Sequence, residues 1–175
     1  MSLTLDIVFE TTPLIGTLGN LVGSIFLPRG GSEEKRQEAL RRIKERQELI
    51  ESTPGYNPLL VFSEGGTTNG TSILKFKKGG FAAEKRVRPI IQKYDTDGSV
   101  SIAYDIIEML PLAILQLSWC GYRCKIYELP DFEPNEYLFE KHADKGQERW
   151  EIFAWAVREV MAKASGLELV DMPFR

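Results

Sequence analysis

Apolar and polar positions change their spacing several times along the chain. Residues 5–9 form a short apolar run broken by Asp6, which predicts a strand. Leu14, Leu18, Leu21 and Val22 recur at helical spacing over 14–22, and 24–27 is rich in strand formers until Pro28 stops it. Gly30 and Gly31 break the chain. Ser32 then caps a helix whose first turn carries Glu33 and Glu34, placed well for the positive end of a helix. That helix runs to about Ile50 with Leu40, Ile43 and Ile50 on one face, and Pro54-Gly55 ends it. Residues 58–62 are continuously apolar, as in a strand covered on both sides. A polar, glycine-rich loop fills 63–70. Residues 72–81 begin with helical character and break at Gly79-Gly80, 87–94 predict a strand, and 95–99 a turn. Residues 105–119 are partly helical, and 123–129 alternate as a strand. The clearest helix spans 147–164, where Trp150, Phe153, Ala154, Val157, Met161 and Ala164 make one apolar stripe that belongs to a core; Gly166 ends it. Strand and helix signals alternate without a repeat or a low-complexity linker, which predicts one α/β domain over 1–175, a sheet flanked by helices.

Composition narrows this picture modestly. With 175 residues, 43% hydrophobic and 27% charged, the chain can bury a sizeable core. A net charge of −3 carries no overall signal for nucleic acid. Cys120 and Cys124 stand in a C-x3-C spacing with no second pair, and the one histidine, His142, is remote, so a metal site is not expected. The two cysteines read as ordinary thiols and favour a reducing compartment. No stretch reaches the roughly 18–20 apolar residues of a spanning helix. Any membrane contact is expected to be peripheral or held by a partner.

Candidate chemistry lies in the loop. A buried strand is expected to empty into Ser63-Glu64-Gly65-Gly66-Thr67-Thr68-Asn69-Gly70. Glycines let backbone N–H groups approach an anion, and hydroxyls add donors to phosphate oxygens. Glu64 would repel a bare anion; it suits holding the loop or a glycerol-like hydroxyl instead. The spacing fits neither a Walker nucleotide loop nor a hydrolase elbow. Lys75, Lys77, Lys78, Lys85, Arg86, Arg88 and Lys93 follow with a single acid, Glu84, forming a basic segment suited to lipid phosphate or to the phosphates of coenzyme A. A solvated charged face explains such a run equally well.

The run from Phe62 to Gly70, continuing through Leu74-Lys-Phe-Lys-Lys-Gly-Gly-Phe81, resembles the third signature block of the lysophospholipid and glycerol-phosphate acyltransferases, and is most similar to their lysophosphatidylcholine branch. Gly23-Ser-Ile-Phe-Leu-Pro-Arg29 resembles the second block, Pro13-Leu-Ile-Gly16 an upstream feature, and Val87-Arg-Pro-Ile90 the fourth. Glu128-Leu-Pro130 and the closing helix are similar to the tail of that branch. The resemblance implies a layered α/β fold lacking its N-terminal strand and helix. It implies that Arg29, Glu64 and Gly65 hold the glycerol-phosphate part of the acceptor, that Gly66, Thr67, Thr68, Asn69 and Gly70 complete that pocket, and that Pro89 shapes the wall near the acyl chain. Acyl-CoA would be the co-substrate of an active member, and no cofactor is implied.

Ser63 and Gly66 depart from the family's Pro and Thr. The larger departure is the first block, His-x-x-x-x-Asp, whose His removes the acceptor's hydroxyl proton and whose Asp orients it. Only twelve residues precede Pro13 and none is His; His142 has Gln147 five residues on and lies among charged neighbours as a solvated histidine. General base catalysis typically contributes about 10²- to 10⁴-fold. Three expectations follow. The chain is a catalytically silent scaffold or accessory subunit of a membrane assembly, with protein partners covering the missing N-terminal elements. Alternatively, it is part of an active acyltransferase whose His block lies upstream of Met1, or a phospholipid- or lysophospholipid-binding module without turnover. An intracellular membrane, endoplasmic reticulum or mitochondrial, is the expected location.

Overall fold

Strand β1 (Ser2–Asp6) is the centre of a three-stranded parallel sheet of order β2-β1-β3, with β2 at Ile25–Leu27 and β3 at Leu59–Leu60. Thr4 lies opposite Ile25, and Ser2 opposite Leu59. Parallel neighbours need crossovers, here α1 (Ile15–Leu21) and α2 (Glu33–Ser52). This alternation is the α/β class that the sequence pattern predicts. The structure is a computed structural model describing residues 2–6, 10, 13, 15–27, 32–66, 68–95, 107, 109–118 and 123–173. The chain forms two compact units, the first of Met1–Ser63 with Lys78–Lys85 and the second of Glu64–Lys77 with Arg86–Arg175.

In the first unit, α2 anchors the strands. Ile43 is buried, Arg46 Nη1 donates to the Gly23 carbonyl at 3.1 Å, and Gln47 Nε2 donates to the Gly80 carbonyl at 3.2 Å in a 3-10 turn at Lys78–Gly80. Ser32 sits at the N-cap, yet its side chain makes no capping bond. The exposed face carries Gln37–Glu33 and Arg41–Glu38 contacts at three- and four-residue spacing, each worth a few tenths of a kcal/mol. In α1 the apolar residues Leu18 and Leu21, with Val22 just beyond, are exposed, whereas Gly16 and Gly19 are buried. Helix α1 thus meets its strand through small residues, which allow close backbone approach.

The second unit is built on α5 (Arg149–Ser165). Phe153 is 0% exposed and its ring stacks on Phe132 at 5.8 Å; Ile152, Ala154, Ala156, Val157 and Ala162 are buried around it. Glu148 and Glu151 form a capping box, and Gly166, at φ +70°, stops the helix in the left-handed region. Strands β4 (Ser72–Ile73) and β7 (Glu168–Leu169) pair in parallel, and β5 (Ile90–Asp95) pairs antiparallel with β6 (Arg123–Glu128). Helices α3 (Met109–Ser118) and α4 (Glu136–Lys141) complete it. No helix among the described residues is long and apolar enough to cross a membrane.

Several expectations are corrected. Residues 72–81 do not begin as a helix. Ser72 and Ile73 lie in β4, and the backbone donors that a helix would use locally go elsewhere: the Lys75 N–H donates to the Met172 carbonyl at 3.1 Å and the Leu74 N–H to Glu64. The strand expected over 58–62 pairs only at Leu59–Leu60; Leu59, Leu60 and Val61 are half-buried and Phe62 is exposed. Ala164 is exposed, while Ile152, Ala156 and Ala162 join the buried face of α5, which is wider than a single stripe. The expected turn at 95–99 lies outside the described residues apart from Asp95, as do residues 7–9 of the first apolar run.

Candidate functional site

The loop between β3 and β4 is tied by its own side chains. A Glu64 carboxylate oxygen accepts the Leu74 N–H at 2.9 Å. Thr68 Oγ1 accepts the Gly70 N–H at 3.3 Å, and Asn69 Oδ1 accepts both the Thr71 N–H at 3.2 Å and the Thr71 hydroxyl at 2.8 Å. These short turns are the local bonds that Thr and Asn offer a backbone outside regular structure. Gly65 and Gly70 have φ of +80° and +75°, which glycine adopts without steric cost. Gly65 also admits a neighbour: a Cβ there would lie 2.7 Å from Lys77 Nζ. The Lys77 side chain therefore lies over Gly65, with its ammonium against the loop.

Glu64 is half-buried, and that burial pushes its carboxyl pKa above the usual carboxylate value. The Leu74 N–H and the positive charge of Arg158 act in the opposite sense. Arg158, on α5, is 6% exposed. Its Nη2 donates to the carbonyls of Ile73 at 2.9 Å and Val170 at 2.6 Å, and its Nη1 to Asp171 at 2.6 Å. The sequence reading missed Arg158. The available signal was a cation four residues after Ala154 and four before Ala162, inside a buried helix face.

The other expected residues fall as follows. Arg29 and Thr67 lie outside the described residues. Pro89 is buried before β5, where its carbonyl accepts the Leu129 N–H at 3.0 Å. Gly66 is half-buried within the loop. The basic segment is divided: Lys78 and Lys85 belong to the first unit, and Lys75, Lys77, Arg86 and Arg88 to the second. Arg88 Nε bonds Asp131 at 2.6 Å, and Arg86 lies 3.8 Å from the same carboxylate, so acids of the chain already pair these two. Arg88 holds the Asp131 carboxyl below its ordinary pKa. Lys78 lines a shallow cleft of about 410 Å³ along α2 with Lys44, Glu45 and Glu48. Among the described residues no group of three or more His, Cys, Asp or Glu could hold a metal.

His142 caps the C-terminus of α4, half-buried, its ring 5.0 Å from that of Trp155. It is packed against an aromatic ring rather than fully solvated, which corrects the sequence reading.

A parallel α/β sheet, a glycine-rich loop after its outer strand and a loop carboxylate tied to the next strand together accompany a match of the acyltransferase family model over residues 3–93. The chain belongs to the acyltransferase family. It is similar to a lysophosphatidylcholine acyltransferase of Drosophila melanogaster, at 32% identity over 163 residues covering 93% of this chain and 28% of the relative. It is also similar to lysophosphatidylcholine acyltransferase 1 of Homo sapiens, at 28% identity over 164 residues covering 93% and 28%. The lysophospholipid acyltransferase LPEAT1 of Arabidopsis thaliana is 28% identical over 160 residues, covering 91% of this chain and 38% of the relative. The chain thus spans about three-tenths of the length of the first two relatives and under two-fifths of the third. No solved structure matches it.

Proposed function

We propose that these 175 residues hold the phosphorylated glycerol portion of a lysophospholipid acceptor and transfer no acyl group by themselves. The observation that carries the reading is the Lys77 ammonium laid over Gly65, beside a carboxylate whose tie to Leu74 fixes the loop. A cation with backbone donors around left-handed glycines suits a phosphate oxygen. A tied carboxylate suits an acceptor hydroxyl, and Thr68 and Asn69 supply further polar groups beside it. Arg29, Gly66, Thr67 and Pro89 enter the pocket through the family resemblance. The relatives' names, lysophosphatidylcholine and lysophospholipid acyltransferases, support this class of acceptor; acyl-CoA as the donor of an active form enters through the family resemblance.

The silence of the segment rests on its imidazole. An alcohol attacking a thioester near neutral pH needs a base, typically worth about 10²- to 10⁴-fold. His142, the one histidine in the sequence, is engaged with Trp155 and lacks an acid five residues on. Two arrangements accommodate this: an accessory subunit of a membrane-associated assembly, or the acceptor-holding part of an enzyme whose His-x-x-x-x-Asp lies in sequence preceding Met1. Sequencing the transcript upstream of Met1 separates them.

The direct test incubates the purified chain with acyl-CoA and lysophosphatidylcholine. We expect turnover no higher than that of Glu64→Ala, and turnover well above that control would overturn the silent half. Lysophospholipid retained by the chain should fall on Arg29→Ala; unchanged retention would remove Arg29 from the pocket.

A further inference from the structure

We infer that Arg158 is a positioning residue for the Glu64 loop, acting through the one peptide group that joins Ile73 to Leu74. The carbonyl of that peptide accepts Arg158 Nη2 at 2.9 Å, and its N–H donates to the Glu64 carboxylate at 2.9 Å. A guanidinium and a carboxylate therefore grip opposite ends of one amide. Each bond polarises the amide in the direction that strengthens the other, as in a cooperative chain of hydrogen bonds. The same Nη2 reaches the Val170 carbonyl at 2.6 Å, and the Val170 N–H donates to Ile73 at 3.1 Å, so the peptide is fixed by β7 as well as by α5.

Arg158 of α5 thus reaches a peptide group that lies 85 residues earlier in the sequence. The guanidinium is nearly closed off from solvent, and its Nε is buried with no hydrogen-bond partner. Desolvation of this kind is costly for a residue serving only to join two strands, because carbonyl-to-N–H pairing already does that. It also leaves the positive charge weakly screened where it acts on Glu64. Among the described residues, the charged groups that bear on the relay include Glu64 itself, Arg158, Asp171 bonded to Arg158, and Lys77 over Gly65. Arg158 opposes the rise that burial imposes on the Glu64 pKa.

This inference deepens the acceptor-site reading, yet its test does not depend on lipid. The Leu74 amide shift is followed by NMR across pH in the full chain, where its midpoint reports the ionisation of the carboxylate bonded to it. Replacing the guanidinium by a neutral group in Arg158→Gln should move that midpoint to higher pH. Arg158→Lys keeps the charge but loses the planar fork, so its midpoint should lie nearer the native one; equal midpoints in the two variants would reduce Arg158 to a structural clamp and overturn the inference. Asp171 is 88% exposed, so Asp171→Asn spares the core should both Arg158 variants fail to fold. Its loss leaves the Arg158 charge less compensated and should move the Leu74 midpoint to lower pH, and an unmoved midpoint would overturn the relay. Lysophosphatidylcholine affinity measured alongside should fall roughly tenfold in Arg158→Gln, the scale of one charged hydrogen bond. Midpoint shifts without any lipid binding would support the relay and refute the acceptor reading alone.

Discussion

Glu64 does two things that a carboxylate on a solvated loop would not do: it holds a strand amide and is half-buried. Its raised pKa means that the folded chain binds this proton more tightly than the unfolded one. Its contribution to stability is therefore full below the unfolded pKa and is lost as pH rises through the folded value. In Glu64→Gln, whose amide oxygen can still accept the Leu74 N–H, that part of the pH dependence should vanish from urea melts at pH 4 to 8. Glu64→Ala leaves the Leu74 donor orphaned and should cost about 1 kcal/mol near pH 7 in the same melts. Gly65→Ala should cost a similar amount, about 1 kcal/mol, through its left-handed φ. It should also displace Lys77, which Gly70→Ala would not do, since nothing lies within 4 Å of a Cβ there. Both variants strain a left-handed position of the loop, so the additional loss of lysophospholipid affinity expected in Gly65→Ala over Gly70→Ala isolates the ammonium. At this scale the loop was legible, because its glycines, hydroxyls and single acid are contiguous. The bond from Glu64 to Leu74 and the distant Arg158 were not, since both depend on a strand pairing between segments nearly a hundred residues apart.

Among the elements, α5 organises the second unit. Phe153→Ala removes its fully buried ring and the stack on Phe132, and should cost about 3–5 kcal/mol, read as an earlier denaturation midpoint. Because α5 also carries Arg158, the same variant should broaden the loop amides before global unfolding. Periodicity made α5, α2 and most strands readable: the stripe through Phe153 and Val157 is long enough to fix a helix and its core side. It failed over residues 72–81, where Ile73 and Phe76 stand three apart as on a helix while the backbone bonds run to β7 and Glu64. It found the helix α1 but carried no signal for its buried face, which is glycine. Tertiary partners, invisible to a local window, decide both cases.

For the molecule as a whole, the chain belongs to the acyltransferase family and is similar to lysophospholipid acyltransferases over about three-tenths of the length of the first relatives it matches. Its loop carries a tied carboxylate at Glu64 beside the Gly65 that the Lys77 side chain overlies, while the His142 ring packs against Trp155. In the proposed function, the Lys77 contact, the Glu64 tie and the Arg158 relay serve one site that holds an acceptor without a base. A chemical-shift titration of the chain with a short-chain lysophosphatidylcholine, below its micelle concentration, puts that proposal to the test. Saturable shifts are expected in the amides of Gly65, Gly66, Thr68, Asn69, Gly70 and Leu74, abolished by Glu64→Ala. Shifts confined to the cleft along α2, or none in the loop at saturation, would contradict it.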